Sequence, residues 1–190
     1  MIGSFIWLAV LAAVLLYGIL IYNGLVGLKH GVAKAWSNID VLLKQRHDEL
    51  PKLVETCKQY MQFERDTLEK VMRARAGAQS AREAADVKAV GAAEGLMRAG
   101  LGGIVATVEA YPELKADQSI QQLLGRITGL ENAISDRREF YNESVNVNNV
   151  RIEQFPDVIV ARLLGFKSAE LLEFSEEEKR DVAMKALFGS

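Results

Sequence analysis

The hydrophobic pattern opens with an unbroken run and then turns periodic. Ile2 to Tyr22 contains no charged side chain. About 20 apolar residues at 1.5 Å rise match the roughly 30 Å hydrocarbon core of a bilayer. Past Tyr22 the apolar positions recur. Leu25, Val32, Ile39, Leu53 and Tyr60 share one heptad position, with Arg46 interrupting, and Trp36, Leu43, Leu50, Cys57, Glu64 and Val71 share its companion. A period near 3.5 is the stripe of a long packed helix. No Gly- or Pro-rich linker separates span from stripe, so the pattern predicts one helix from Ile2 to about Ala76. The apolar row crosses Pro51 without a shift, which predicts a kink there and not an end.

Ser80 and Glu83 have capping-box spacing, and a second helix is predicted from about Ala81 to Tyr111. It is rich in Ala and Gly, and the glycines from Gly91 to Gly103 weaken it unless they allow close contact. Close helix contact is the preferred expectation, with a flexible segment near Gly102-Gly103 as the alternative. Lys88, Glu94, Arg98 and Glu109 argue against a second membrane span. Tyr111-Pro112 ends this helix, and Asp117 or Ser119 can cap the next. In the third, Ile120, Ile127, Ile134, Tyr141, Asn148 and Phe155 repeat every seven residues. Leu123 or Leu124, Leu130, Val145 and Ile152 fill the companion row, and Phe155-Pro156 stops it. A short apolar helix, Val158 to Leu164, follows, then a tail in which Ser175 and the acids after it suggest a last short helix. No stretch alternates with period 2. The predicted fold is all-α: an N-terminal transmembrane helix continuing into an antiparallel bundle of three to four long helices. Its parts are an anchor (1–22), the bundle (23–174) and a C-terminal tail (175–190).

A cleaved signal peptide is the competing reading of the opening run, but it calls for a basic leader and a shorter apolar core. A buried core helix would carry a polar stripe. Lys29 and Lys34 are the first Lys or Arg after the span and none precedes it, which predicts a single-pass protein of the cell membrane with its helical domain on the cytoplasmic side.

The chain has 190 residues and a formal net charge of -2. A near-neutral balance does not suggest a nucleic-acid partner. One cysteine, Cys57, cannot form an internal disulfide. Its place on the apolar row makes it a small core residue in preference to a nucleophile. His30 and His47 are far apart and belong to no metal-ligand pattern. The Gly-rich stretch lacks the strand and Lys-Ser/Thr of a phosphate loop. No catalytic set, metal or cofactor is expected, and a non-enzyme is preferred over a hydrolase.

Several segments resemble the LemA family. They are Tyr22-Asn23-Gly24-Leu25-Val26-Gly27-Leu28, Ala35-Trp36-Ser37-Asn38-Ile39-Asp40, Leu50-Pro51-Lys52-Leu53-Val54-Glu55-Thr56, Tyr111-Pro112-Glu113-Leu114-Lys115-Ala116, Phe140-Tyr141-Asn142, Phe155-Pro156 and Gly165-Phe166. Two departures are Phe63, where the family more often has His, and Asn148-Asn149, where Tyr-Asn is more usual. The resemblance implies one N-terminal membrane helix and a long-helix bundle, and it implies almost nothing about activity.

The polar residues on or beside the apolar rows are the remaining candidates: Asp40, Arg46 and Glu64 on the first helix, and Arg137, Arg138, Asn142 and Asn148 on the third. They are expected to set register by pairing across the bundle, with a polar groove for a peptide or small ligand as the functional alternative. The leading expectation is a membrane-anchored, non-enzymatic scaffold or adaptor. Its partners are the lipid bilayer and either other membrane proteins or further copies of itself, since Ala9 and Ala13 permit lateral helix contact. A membrane-remodelling or signal-coupling protein acting through helix rearrangement is the alternative.

Overall fold

The structure, a computed structural model, describes residues 2–58 and 65–173. Among the described residues there are six helices and no strand: α1 (Ile2–Lys58), α2 (Arg65–Glu83), α3 (Val87–Ala110), α4 (Pro112–Ala116), α5 (Gln118–Glu153) and α6 (Asp157–Leu163). The all-helical fold follows the sequence pattern. The chain divides into two compact units, Met1–Asn38 with Glu139–Glu170, and Ile39–Arg138 with Leu171–Ser190. Both α1 and α5 contribute to each.

In the second unit, α1 continues through Pro51 to Lys58. The expectation of one helix reaching Ala76 is wrong. The Arg75 Nε donates to the His47 carbonyl at 2.9 Å, and Arg82 reaches Asp40 at 2.7 Å. Residues 28 apart in one helix would be separated by about 40 Å. Helix α2 therefore runs antiparallel to α1. Leu50, Leu53 and Cys57 of α1 pack with Leu68 and Val71 of α2, Met97, Leu101 and Ile104 of α3, Leu114 of α4, and Ile120 and Ile127 of α5 in one buried core. Tyr60, Phe63 and Glu64 lie outside the described residues, as does the tail from Phe174 onward with its expected short helix.

The capping box at Ser80 and Glu83 is also wrong. Both belong to α2, and the Ser80 hydroxyl donates back to the Ala76 carbonyl. The chain breaks instead at Ala85, whose φ is 53°, and Asp86 caps α3 by accepting from the Ala89 N–H. The glycines of α3 are mostly close-contact positions. A Cβ on Gly91 would overlap the Glu173 carbonyl oxygen, and one on Gly100 would lie 2.7 Å from Val71 Cγ2, whereas Gly102 faces open space. Asp117 caps α5, accepting from the Ser119 and Ile120 N–H groups.

In the first unit, α5 runs antiparallel to α1. Trp36 meets Tyr141 with ring centroids 5.4 Å apart. Farther along, Ile152 joins Ile21, Leu25 and Ala161 in a small buried cluster. The helix α5 ends at Glu153, the Phe155-Pro156 peptide is cis, and α6 packs Ala161 into that cluster. Gly165, at φ 73°, turns the chain back. Residues 166–170 then return along α5 as a strap without regular structure.

Candidate functional site

The second unit is built around one buried cation. Arg46 takes an apolar-row position of α1 and is fully buried. Its Nη2 pairs with Glu94 Oε2 of α3 and its Nη1 with Glu131 Oε1 of α5; the side chains of Glu94 and Glu131 are 1% and 17% exposed. Arg98 adds a second cation 3.4 Å from Glu131. Burial pushes the Arg46 guanidinium below its ordinary value, and the charge and hydrogen bond of Glu131 oppose this. A guanidinium keeps its proton under such a push because its ordinary value is so high. Arg46 and Glu94 thus pair in the buried interior, while Glu131 and Arg98 close the network toward its more open edge.

Asp40 is on the same helix and pairs with Arg82 of α2, at 2.7 Å and half-exposed. Arg137 is exposed and Arg138 half-buried. The partners of Arg46 and Asp40 are therefore residues outside the sequence-derived set. Glu94 and Glu131 were missed, although both carry a signal. Glu94 continues the 3-4 spacing of Val90, Met97, Leu101, Ile104 and Val108, and Glu131 lies seven residues from Leu124 and fourteen from Val145.

Asn142 and Asn148 belong to the first unit. Asn142 is half-buried. Asn148 is buried, and its amide donates to Asn149 Oδ1 at 3.2 Å. The working residue is this neighbour. Asn149 Nδ2 donates to the Ala169 carbonyl while its Oδ1 accepts the Ala169 N–H, both at 2.9 Å. One side-chain amide thus satisfies both backbone groups of a strap residue. Just over two helical turns away, the Tyr141 hydroxyl donates to the Glu170 carbonyl at 2.9 Å. Burial and the Glu170 charge both push the Tyr141 hydroxyl up from its ordinary value.

The other candidate groups are placed plainly. Cys57 is buried, and burial with a contribution from Asp117 pushes its thiol up to about 11, the reverse of what a nucleophile needs. Burial and the nearby Arg75 push His47 down. An open groove of ≈ 560 Å³ runs between α2 and α3, lined largely by small residues such as Ala74, Gly77, Ala93 and Gly100, with Lys70 and Arg73 on its α2 side.

The model of the LemA family matches residues 35–185. The chain belongs to the LemA family. It is also similar to magnetosome proteins MamQ 1 and MamQ 2 of Paramagnetospirillum magneticum, each 31% identical over 86 residues, which cover 45% of this chain and 32% of the relative. Magnetosome protein MamQ of Magnetospirillum gryphiswaldense is 31% identical over 83 residues, covering 44% and 30%. The matched stretch is thus about a third of each relative's length. The LemA match falls on the bundle, and it takes in Arg46, Glu94, Glu131 and Asn149 alike.

Proposed function

We propose that this LemA-family chain is a membrane-anchored, non-enzymatic scaffold or adaptor whose helical body is presented on the cytoplasmic side. The observation that supports it is the contrast inside α1. Side chains from Phe5 to Leu20 stand open, with Trp7 and Phe5 among the most exposed of the described residues. An uncovered apolar run of this length is at home in hydrocarbon. Beyond it, Arg46, Glu94 and Glu131 engage one another inside the helical body.

Lys29 and Lys34 support the cytoplasmic side. Self-association through Ala9 and Ala13 is the oligomeric form of the same reading. The alternative, helix rearrangement in the Gly-rich α3, is disfavoured by the close contacts at Gly91 and Gly100. The magnetosome is named for the relatives; for this chain, their likeness supports a body of the same family.

The test is carbonate extraction of native membranes followed by crosslinking of the intact chain. A scaffold stays with the membrane pellet, leaves it only with detergent, and crosslinks to further copies or to other membrane proteins. Release by carbonate would remove the anchor, and a protein retained in membranes but crosslinked to nothing would remove the scaffold.

A further inference from the structure

The turn after α5 carries apolar surface that the packing of the first unit leaves uncovered. Phe155 is 82% exposed, Ile159 58%, Leu163 81% and Leu164 54%. Single exposed apolar residues are ordinary. Four large ones within ten residues, two of them one helical turn apart on α6, form a patch that calls for a cover.

Its position says what the cover is. The helix α5 passes Trp36 at Tyr141 and reaches Ile21 and Leu25 at Ile152, so it descends along α1 toward the apolar run and stops at its border. The helix α6 is fastened at that level. Ala161 packs with Ile21 and Leu25, and the Phe166 ring stands edge-on to Tyr22 with centroids 6.0 Å apart. Tyr22 is the last residue of the apolar run before Asn23. The exposed side chains of the turn therefore sit where the run leaves the hydrocarbon for the headgroups.

The charges of the turn agree. From Gln154 to Ala169 the only acid is Asp157. It is buried and paired with Arg151 at 2.5 Å, so it presents no negative charge outward. Arg162 and Lys167 are exposed, and Lys29 and Lys34 face solvent on α1 without an acid before Asp40. An apolar face with a cationic flank is the composition of an interfacial helix on anionic lipid.

We propose that residues 154–166 form a second membrane contact of this protein. Phe155, Ile159, Leu163 and Leu164 enter the boundary between headgroups and acyl chains, and Arg162 and Lys167 meet anionic headgroups. The inference rests on the anchor reading for the depth at which α6 lies. With the turn docked, α1 is held at two points of the bilayer and its body cannot swivel freely about a single span.

The experiment uses the full chain in vesicles of phosphatidylcholine with phosphatidylglycerol, in a Cys57→Ala background. An environment-sensitive fluorophore is attached in turn at Leu8→Cys, Leu163→Cys and Glu143→Cys, the last lying about two and a half turns back along α5 from Ile152. Lipids bearing a nitroxide near the headgroup are then added. The expected result is loss of fluorescence at positions 8 and 163 and none at 143. Weaker quenching at 163 is expected in pure phosphatidylcholine or with Arg162→Glu and Lys167→Glu. Quenching at 8 without quenching at 163 overturns the second contact and leaves the anchor. Quenching at 163 without 8 overturns the anchor and leaves a lipid contact at α6. Quenching at neither position overturns both, and equal quenching at all three overturns the confinement of the contact to the turn.

Discussion

The two ends of α1 carry the same kinds of side chain and meet opposite fates. Leu8, Leu11, Leu15 and Leu20 are exposed, whereas Leu43, Leu50 and Leu53 are buried. The later leucines come in a stripe whose flanks are Lys44, Asp48 and Lys52, so one face can pack while the other is wetted. The earlier ones are apolar all round, and no arrangement of neighbouring helices leaves such a cylinder a wet face. Hydrophobicity alone therefore does not make a core residue. The polar residues between the apolar ones decide which surroundings a segment accepts.

The strongest way to break this comparison is to give the opening run a polar face. Leu11→Arg with Leu15→Arg costs about 3 kcal/mol per residue for membrane insertion. The expected outcome is a move of the chain from the carbonate-resistant pellet to the supernatant, with little change in the melting temperature of the body. The reverse manipulation is to unbalance the buried charge of the later half. Arg46→Leu strands Glu94 and leaves Glu131 with Arg98 alone, and loss of one partner from a buried network costs about 3–5 kcal/mol. Thermal unfolding followed by circular dichroism reads that loss. Replacing Arg46, Glu94 and Glu131 together by Leu recovers most of it.

A smaller effect is expected in the first unit. Asn149→Leu removes two hydrogen bonds to Ala169 at about 0.5–1.5 kcal/mol each, and hydrogen exchange at the Ala169 amide is expected to quicken while the buried amides of α2 and α3 are unchanged. The finest contrast lies within α3. Gly102→Ala is expected to stabilise by up to about 1 kcal/mol, because it adds helix propensity in open space. Gly91→Ala meets the Glu173 backbone and is expected to destabilise instead, by about 1–3 kcal/mol. Urea midpoints of the two variants moving in opposite directions would establish the pair.

Most of the helical architecture was legible before any coordinates, because α5 and the later part of α1 keep strict apolar rows over many turns. The antiparallel course of α2 was not. Val71 stays in phase with Leu43, Leu50 and Cys57, and a count of sevens records which face is apolar without recording which way the chain travels. Arg46 was legible as a cation on an apolar row. Its carboxylates are harder to read, because Glu94 serves as an argument against a membrane span and Glu131 lies one position off the Leu130 row. The clamp at Asn149 lies one position off the row of Asn148. Its role depends on a strap of irregular backbone that no periodicity describes.

The two residues Leu172 and Glu173 have a consequence for the order in which the protein is made. Leu172 fills a fully buried position and Glu173 seats its carbonyl against Gly91 of α3. Yet these residues leave the ribosome more than sixty positions after α3 has been synthesised. The notch at Gly91 must wait, open, through the translation of α4, α5 and α6. A polypeptide released anywhere before Leu172 would lack the group that fills the notch at Gly91.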